Sequence, residues 1–245
     1  MIKTLGIISS IIPFGDTSLI LKALSWDKGQ ISILAKGWRK KQEPVLRFCE
    51  YEFTLYEPKE EGLHLLKEAS VLQDFTQYPS TEIWAAAEAG VELLSKIIIP
   101  SNESHDYYTV QREYLAYLQK TRINGILIFW RLFLRVFKLL GIESQLNTCR
   151  ICGNKRALYA IDNAAGHICQ ECFGDLSESG QYTLLSQDAT EILRLLPEIG
   201  MHLDRIKVST VAVSELNRYF LQYYQVHQKQ TLKLKSLSVL CQFYD

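Results

Sequence analysis

Apolar positions in the first third of the chain recur on a period of two, and those beyond it recur mainly every three or four residues. Leu5 to Ile12, Ser18 to Leu24, Gln30 to Ala35, Phe48 to Tyr56 and Leu63 to Leu72 are short runs rich in β-branched, aromatic and aliphatic residues. Turn signals separate them at Pro13-Phe14-Gly15-Asp16, Asp27-Lys28-Gly29 and Glu60-Glu61-Gly62. Five strands this short cannot form a well-covered two-sheet sandwich, and closure into a barrel removes exposed sheet edges. The pattern predicts an OB-type five-stranded β-barrel over residues 1–79, with an SH3-like barrel as the nearest competitor.

After Tyr78-Pro79-Ser80 the period becomes helical. Glu82 to Ile99 places Trp84, Ala87, Val91, Leu94 and Ile98 at helical steps, follows a Ser80-Thr81 cap and stops at Pro100. Further helices are expected over Asp106 to Leu118, Asn124 to Leu140 closing at Gly141, Ser186 to Leu196 ending at Pro197, and Val211 to Gln228. In the last of these, Val213, Leu216, Phe220 and Tyr223 or Tyr224 share one face. The fold class predicted is α+β, with the barrel followed by a helical domain over residues 80–245. The most apolar stretch, Ile126 to Leu140, carries Arg131, Arg135 and Lys138, which marks a buried amphipathic helix and not a membrane span.

Cysteine spacing adds a third component. Cys149, Cys152, Cys169 and Cys172 form two Cys-x-x-Cys pairs with sixteen residues between them. Each pair can wrap two sulfurs around one face of a cation, and the loop returns the second pair to complete a tetrahedron. A redox motif needs one pair at a helix start, and disulfides need an oxidising compartment. The opening Met1-Ile2-Lys3-Thr4-Leu5 lacks a signal-peptide pattern, so a cytoplasmic location is expected. Gly153 and Gly174 supply permissive backbone beside the sulfurs. We therefore expect a structural zinc module over residues 147–176, inserted in the helical domain and dependent on metal for on the order of 10 kcal/mol of folding free energy. His167 is expected to be a loop side chain and not a ligand. Cys49 and Cys241 read as half-buried apolar thiols.

The chain has 245 residues and is 47% hydrophobic, with Lys plus Arg and Asp plus Glu at 27 each. That balance gives no overall pull toward nucleic acid, so any such role depends on local clustering. Lys36-Gly37-Trp38-Arg39-Lys40-Lys41, with Arg47 beyond it, is such a cluster. Its cations can neutralise phosphates while Trp38 stacks a base, the usual means of holding single strands. The alternative is a solvated loop with Trp38 folded back on the barrel. Arg131, Arg135 and Lys138 share one stripe of their helix, apart from Leu132, Val136 and Leu139, and can receive phosphates or an acidic partner peptide. The alternative there is an ordinary solvent face. Lys229, Lys233 and Lys235 form a scattered third group.

No phosphate-binding Gly-rich loop, zinc-protease His-Glu-x-x-His or Gly-x-Ser-x-Gly nucleophile motif occurs, and the five histidines are dispersed singly. The expectation is a binding protein and not an enzyme.

The ordered features resemble the RecO recombination mediators of bacterial DNA repair. The resemblance rests on Pro13-Phe14-Gly15-Asp16-Thr17-Ser18, Asp27-Lys28-Gly29-Gln30-Ile31-Ser32 and Ala35-Lys36-Gly37 near the start. It continues through Leu139-Leu140-Gly141 leading to Cys149-Arg150-Ile151-Cys152-Gly153, and Leu234-Lys235-Ser236-Leu237 near the end. It implies an N-terminal OB-fold and a helical C-terminal domain that in many members carries a four-cysteine zinc module. The activity implied is binding of single- and double-stranded DNA and annealing of complementary strands. With RecR, such proteins help load RecA on strands coated by single-strand-binding protein. A location at the bacterial nucleoid follows from the same resemblance. A zinc-containing adaptor that meets nucleic acid only through partners is the alternative, with the Arg131, Arg135 and Lys138 stripe as its dock.

Overall fold

A computed structural model of the chain describes residues 1–58, 62–143, 148–155, 158–162, 166–175 and 182–245. The turn expected at Glu60-Glu61 and the outer limits of the zinc module, 147 and 176, lie outside the described residues. The chain forms two compact units, Met1–Arg122 and Ile123–Asp245.

In the first unit, β1 (Ile2–Phe14), β2 (Ser18–Ser25), β3 (Gly29–Ala35), β4 (Cys49–Tyr56) and β5 (His64–Asp74) close into a barrel in the order β1-β2-β3-β5-β4. β1 pairs antiparallel with both β2 and β4, and the barrel closes through a short parallel contact, Ile33 with His64 and Leu34 with Leu65. This is the OB-type barrel expected from the sequence. Leu21, Ile33, Phe53 and Leu55 fill its interior. A β-bulge between Ile8 and Ser10 shifts the register of β1 against β2. Before it Ile8 points inward, and after it Ile11, opposite Leu21, does so, which turns Ile12 and Phe14 outward.

Helices α1 (Thr81–Lys96) and α2 (Ser104–Leu118) belong to the same unit. Ser80 caps α1, its hydroxyl accepting from the Ile83 N–H at 3.3 Å. The helix stops at Lys96, short of the Ile99 expected, because Ile97 is extended and Gln30 of β3 donates to the Leu94 and Ile97 carbonyls at 2.7 and 3.0 Å. Trp84 and Ile98, expected on the apolar face, are 46% and 78% exposed. Gly90 lets α2 approach closely: a Cβ there would stand 2.2 Å from Cε1 of Tyr114. The Tyr114 hydroxyl donates to the Ala86 carbonyl at 2.5 Å.

Glu50 of β4 joins α2 to the barrel. It is buried, accepts from the Tyr108 hydroxyl and receives Arg112 Nε at 3.0 and 3.1 Å on its two oxygens. Such a carboxylate needs these partners to offset its desolvation. Because α1 and α2 cover the barrel in this way, compactness divides the chain at 122/123, whereas the period of the sequence changes at 79/80.

The second unit begins with α3 (Gly125–Leu139). As expected, α3 closes at Gly141, whose φ is +68°. Ile142 N–H donates to the Phe137 carbonyl at 2.9 Å and Gly141 N–H to that of Lys138 at 3.1 Å, the paired bonds of a Schellman motif. After α3 come β6 (Leu158–Asp162), β7 (Gly166–Cys169), α4 (Gln170–Gly174) and β8 (Tyr182–Leu184), then α5 (Gln187–Leu195), α6 (Thr210–Gln228) and α7 (Lys235–Cys241). α3 packs on α6 through stacked Phe133 and Phe220, with centroids 5.1 Å apart, and Trp130 Nε1 donates to Asn217 Oδ1 at 2.8 Å. Val213, Leu216, Phe220, Tyr223 and Tyr224 of α6 are buried, as the period predicts. The three-stranded antiparallel sheet β7-β6-β8 has no counterpart in the sequence expectation. Among the described residues, no helix is long and apolar enough to cross a membrane.

Candidate metal centre and nucleic-acid interface

The turn before β6, the end of β7 and the start of α4 bring the four cysteines together. Their sulfurs all lie within 4.8 Å of one another, and Cys152 and Cys169 Sγ are 3.8 Å apart. Four thiolates at the usual zinc–sulfur length of 2.3 Å define a tetrahedron with edges of about 3.8 Å. The donor set therefore fits a single tetrahedral ion such as zinc.

The backbone builds the first half of this site as a knuckle. Gly153, at φ +70°, lets the chain reverse so that its N–H donates to the Cys149 carbonyl and Cys149 N–H to that of Asn154, both at 2.9 Å. Cys169 N–H points at Cys149 Sγ from 3.4 Å. Arg150 ties the knuckle to the hairpin, its N–H reaching the His167 carbonyl at 2.8 Å and its guanidinium the Asp162 carboxylate at 2.8 Å.

Electrostatics distinguish the sulfurs. Burial opposes ionisation of Cys149, but hydrogen bonds from the N–H groups of Cys152, Cys169 and Ile151 and from the Cys152 side chain bring its thiol down to about 6. Cys172, hydrogen-bonded to Cys169 and repelled by the charge on Cys149, is pushed up to about 12. Neighbouring sulfurs resist shared ionisation without a cation between them, and a divalent metal reverses that balance.

Around the sulfurs is a small core that sequence reasoning missed. Ile168 is fully buried beside Cys149 and Cys169, and Phe173 packs between Tyr159 and Tyr182 with ring centroids at 5.3 Å from each. His167 was expected in a loop. It is instead a buried residue of β7, with its ring 6.0 Å from that of Tyr219 on α6, and it is not among the clustered ligands. Cys49 is buried in the barrel, where desolvation raises its thiol to about 11, and Cys241 is half-buried.

The basic turn after β3 holds its residues differently from one another. Lys36, Arg39, Lys40 and Lys41 are exposed, and none pairs with a carboxylate among the described residues. Arg39 fastens the turn to the β1–β2 hairpin, its N–H donating to the Thr17 carbonyl at 3.0 Å and its Nη1 to that of Gly15 at 2.9 Å.

Two of the residues expected from sequence to bind DNA are engaged within the fold, Trp38 in the folded-back arrangement that was the alternative for it. Trp38 is 9% exposed and packs with the barrel core, while Lys41 Nζ lies 3.6 Å from its ring centroid, so its faces are not open to a base. Arg47 is half-buried, donating to Glu88 Oε2 at 2.6 Å and to the Ser9 carbonyl at 2.8 Å. It joins the barrel to α1 and does not stand free for phosphate.

The aromatic side chain exposed beside this turn is Phe14, at the end of β1 and 52% exposed. Its sequence signal was the turn Pro13-Phe14-Gly15-Asp16, which gives no indication of facing. On α3, Arg131 and Arg135 are half-buried and Lys138 is exposed, on the side away from the buried residues, with Leu134 and Leu139 half-buried as well.

Comparison with known proteins agrees with this architecture. The family model described as Recombination protein O N terminal matches residues 1–75, and that described as Recombination protein O C terminal matches residues 80–237. A DNA repair protein RecO of Bacillus pumilus is 25% identical over 243 residues, covering 96% of this chain and 92% of the relative. One of Caldanaerobacter subterraneus is 20% identical over 244 residues, covering 97% of each chain. One of Acetivibrio thermocellus is 22% identical over 248 residues, covering 98% of this chain and 97% of the relative. With family models matched on both sides of residue 79 and a barrel, helices and cysteine cluster in the corresponding order, the chain belongs to the RecO family of DNA repair proteins.

Proposed function

We propose that this protein is a recombination mediator that binds DNA, anneals complementary strands and, with RecR, helps load RecA on single strands coated by single-strand-binding protein. The observation that carries the reading is the set of exposed cations Lys36, Arg39, Lys40 and Lys41, unpaired with carboxylates among the described residues and fixed to one end of an OB-type barrel. A barrel of this type offers its β2–β3 face and adjoining loops to oligonucleotides, and cations there neutralise backbone phosphates without reading sequence. The work is binding and alignment of strands, with no substrate turned over.

Cys149, Cys152, Cys169 and Cys172 would hold one zinc ion, whose role is structural because four thiolates leave no position for an activated water. The stripe Arg131, Arg135 and Lys138 is the proposed dock for an acidic segment of a partner such as single-strand-binding protein. The proposed location is the bacterial cytoplasm, at the nucleoid.

Annealing of two complementary fluorescent oligonucleotides, with and without single-strand-binding protein, tests the reading. Acceleration in both conditions is expected. A protein that binds each strand but leaves the annealing rate at its spontaneous value would refute the mediator assignment and favour a partner-borne adaptor.

A further inference from the structure

The same surface has an aromatic element that neither the family match nor the basic turn assigns. On the outward side of β1, β2 and β3, Ile12 and Phe14 are 40% and 52% exposed, Ile20 and Leu34 are half-buried, and Lys22 and Lys36 are exposed. Strand pairing makes this one continuous strip: Phe14 lies opposite Ser18, Ile12 opposite Ile20, and Ile20 opposite Leu34. The bulge at Ile8/Ser10 creates it by turning the last residues of β1 out of the barrel.

Phe14 has no ring partner among the described residues, and the residue across the ladder, Ser18, is too small to cover it. Arg39 holds the basic turn to Gly15 and Thr17, the residues immediately after Phe14 in the hairpin. An uncovered ring and phosphate-neutralising groups are thereby fixed to one hairpin tip. Asp16 is the sole acid within that turn, against the cations Lys36, Arg39, Lys40 and Lys41 alongside it.

Resting on the DNA-binding reading above, we propose that Phe14 is the platform on which a base of single-stranded DNA stacks, in the role that Trp38 cannot fill. Such a site favours single strands, because the bases of a duplex are already stacked on each other. It is tolerant of sequence, because every base offers a π-face. The backbone position of Phe14 is set by the β1–β2 ladder and its ring is outside the core, so replacing it leaves the barrel packing in place.

The test is anisotropy titration of a fluorescein-labelled oligothymidylate at several salt concentrations, using the full chain. Phe14→Ala and Phe14→Leu are each expected to weaken binding about five- to 150-fold, the range for losing one aromatic stack, with the log K against log salt slope unchanged. Phe14→Trp should bind as well as the unaltered chain. Irradiation of a 5-iododeoxyuridine oligonucleotide on the unaltered protein should cross-link to the peptide containing Phe14.

If Phe14→Leu binds normally, the contact is apolar and not a stack, and the proposal is overturned. It is equally overturned, with the DNA-binding reading intact, if both small variants bind normally while Arg39, Lys40 and Lys41 replacements weaken binding. If none of these replacements alters binding, both the proposal and the barrel as strand surface fall together.

Discussion

Replacing Arg39, Lys40 and Lys41 together by glutamine should reduce the salt dependence of strand binding by an amount the structure sets. Each phosphate neutralised on a single strand contributes about −0.7 to the slope of log K against log salt. Arg39 uses Nη1 on the Gly15 carbonyl but retains its other side-chain donors, and the Lys40 ammonium has no carboxylate partner among the described residues, so both are available to phosphate. Lys41 lies on the Trp38 ring at 3.6 Å, an interaction worth about 0.5–1 kcal/mol at an exposed site, which competes with phosphate. The slope should therefore become shallower by about 1.4 if Lys41 stays on the indole and by about 2.1 if it leaves. Over a fourfold rise in salt, the larger change makes the unaltered chain lose about 18-fold more affinity than the variant. Anisotropy titrations between about 50 and 200 mM salt read this directly. Arg47→Gln is the internal control: its guanidinium is held by Glu88 and Ser9, so it should lower stability without changing the slope. A triple variant with an unchanged slope, or an Arg47 variant that reproduces the change, refutes the assignment of phosphate contacts to this turn.

Metal analysis of the purified protein should find one zinc per chain. Cys149→Ser should release it and raise hydrogen exchange in β6, β7 and β8 while strand binding by the barrel persists; a folded variant that loses all strand binding contradicts a purely structural site. Gly90→Ala should destabilise the chain by about 1–3 kcal/mol in urea denaturation, although alanine ordinarily improves a helix by about 1 kcal/mol. The added methyl would lie 2.2 Å from a Tyr114 ring anchored by its bond to Ala86, and a stabilised variant would show that α1 and α2 separate easily.

The barrel strands were legible because each is a local alternation bounded by a turn, and β2 and β3 fall within a residue of where the pattern placed them. The cysteine site was legible for a different reason: tetrahedral coordination restricts spacing regardless of what surrounds it. The sheet around it was not. Strands of five, four and three residues, threaded between ligands, are too short to establish a period. Facing in the basic turn also escaped local reading. Outside regular structure no period tells whether Trp38 points in or out, and Arg47 finds its carboxylate on a helix 41 positions later. Phe14 was hidden by a register change, since a single bulge reverses the face of all that follows it while leaving the composition of the strand unaltered.

Neutral net charge does not count against the proposed strand binding, for a reason visible in the ion pairs. Lys3 with Glu52, Arg47 with Glu88, Lys96 with Glu92, Arg112 with Glu50 and Arg150 with Asp162 each cancel one charge of either sign within the fold. Such pairs contribute almost nothing to the field felt by a strand, and at physiological salt a strand senses charges only within about 8 Å. The cations that matter are those left over, and four of them fall within residues 36–41. None of the four is paired with a carboxylate among the described residues, so that short turn keeps its full local charge although the chain as a whole is neutral. A variant that frees Arg112 by Glu50→Gln should therefore alter stability far more than DNA affinity, since the released cation lies where α2 joins the barrel and not beside the basic turn.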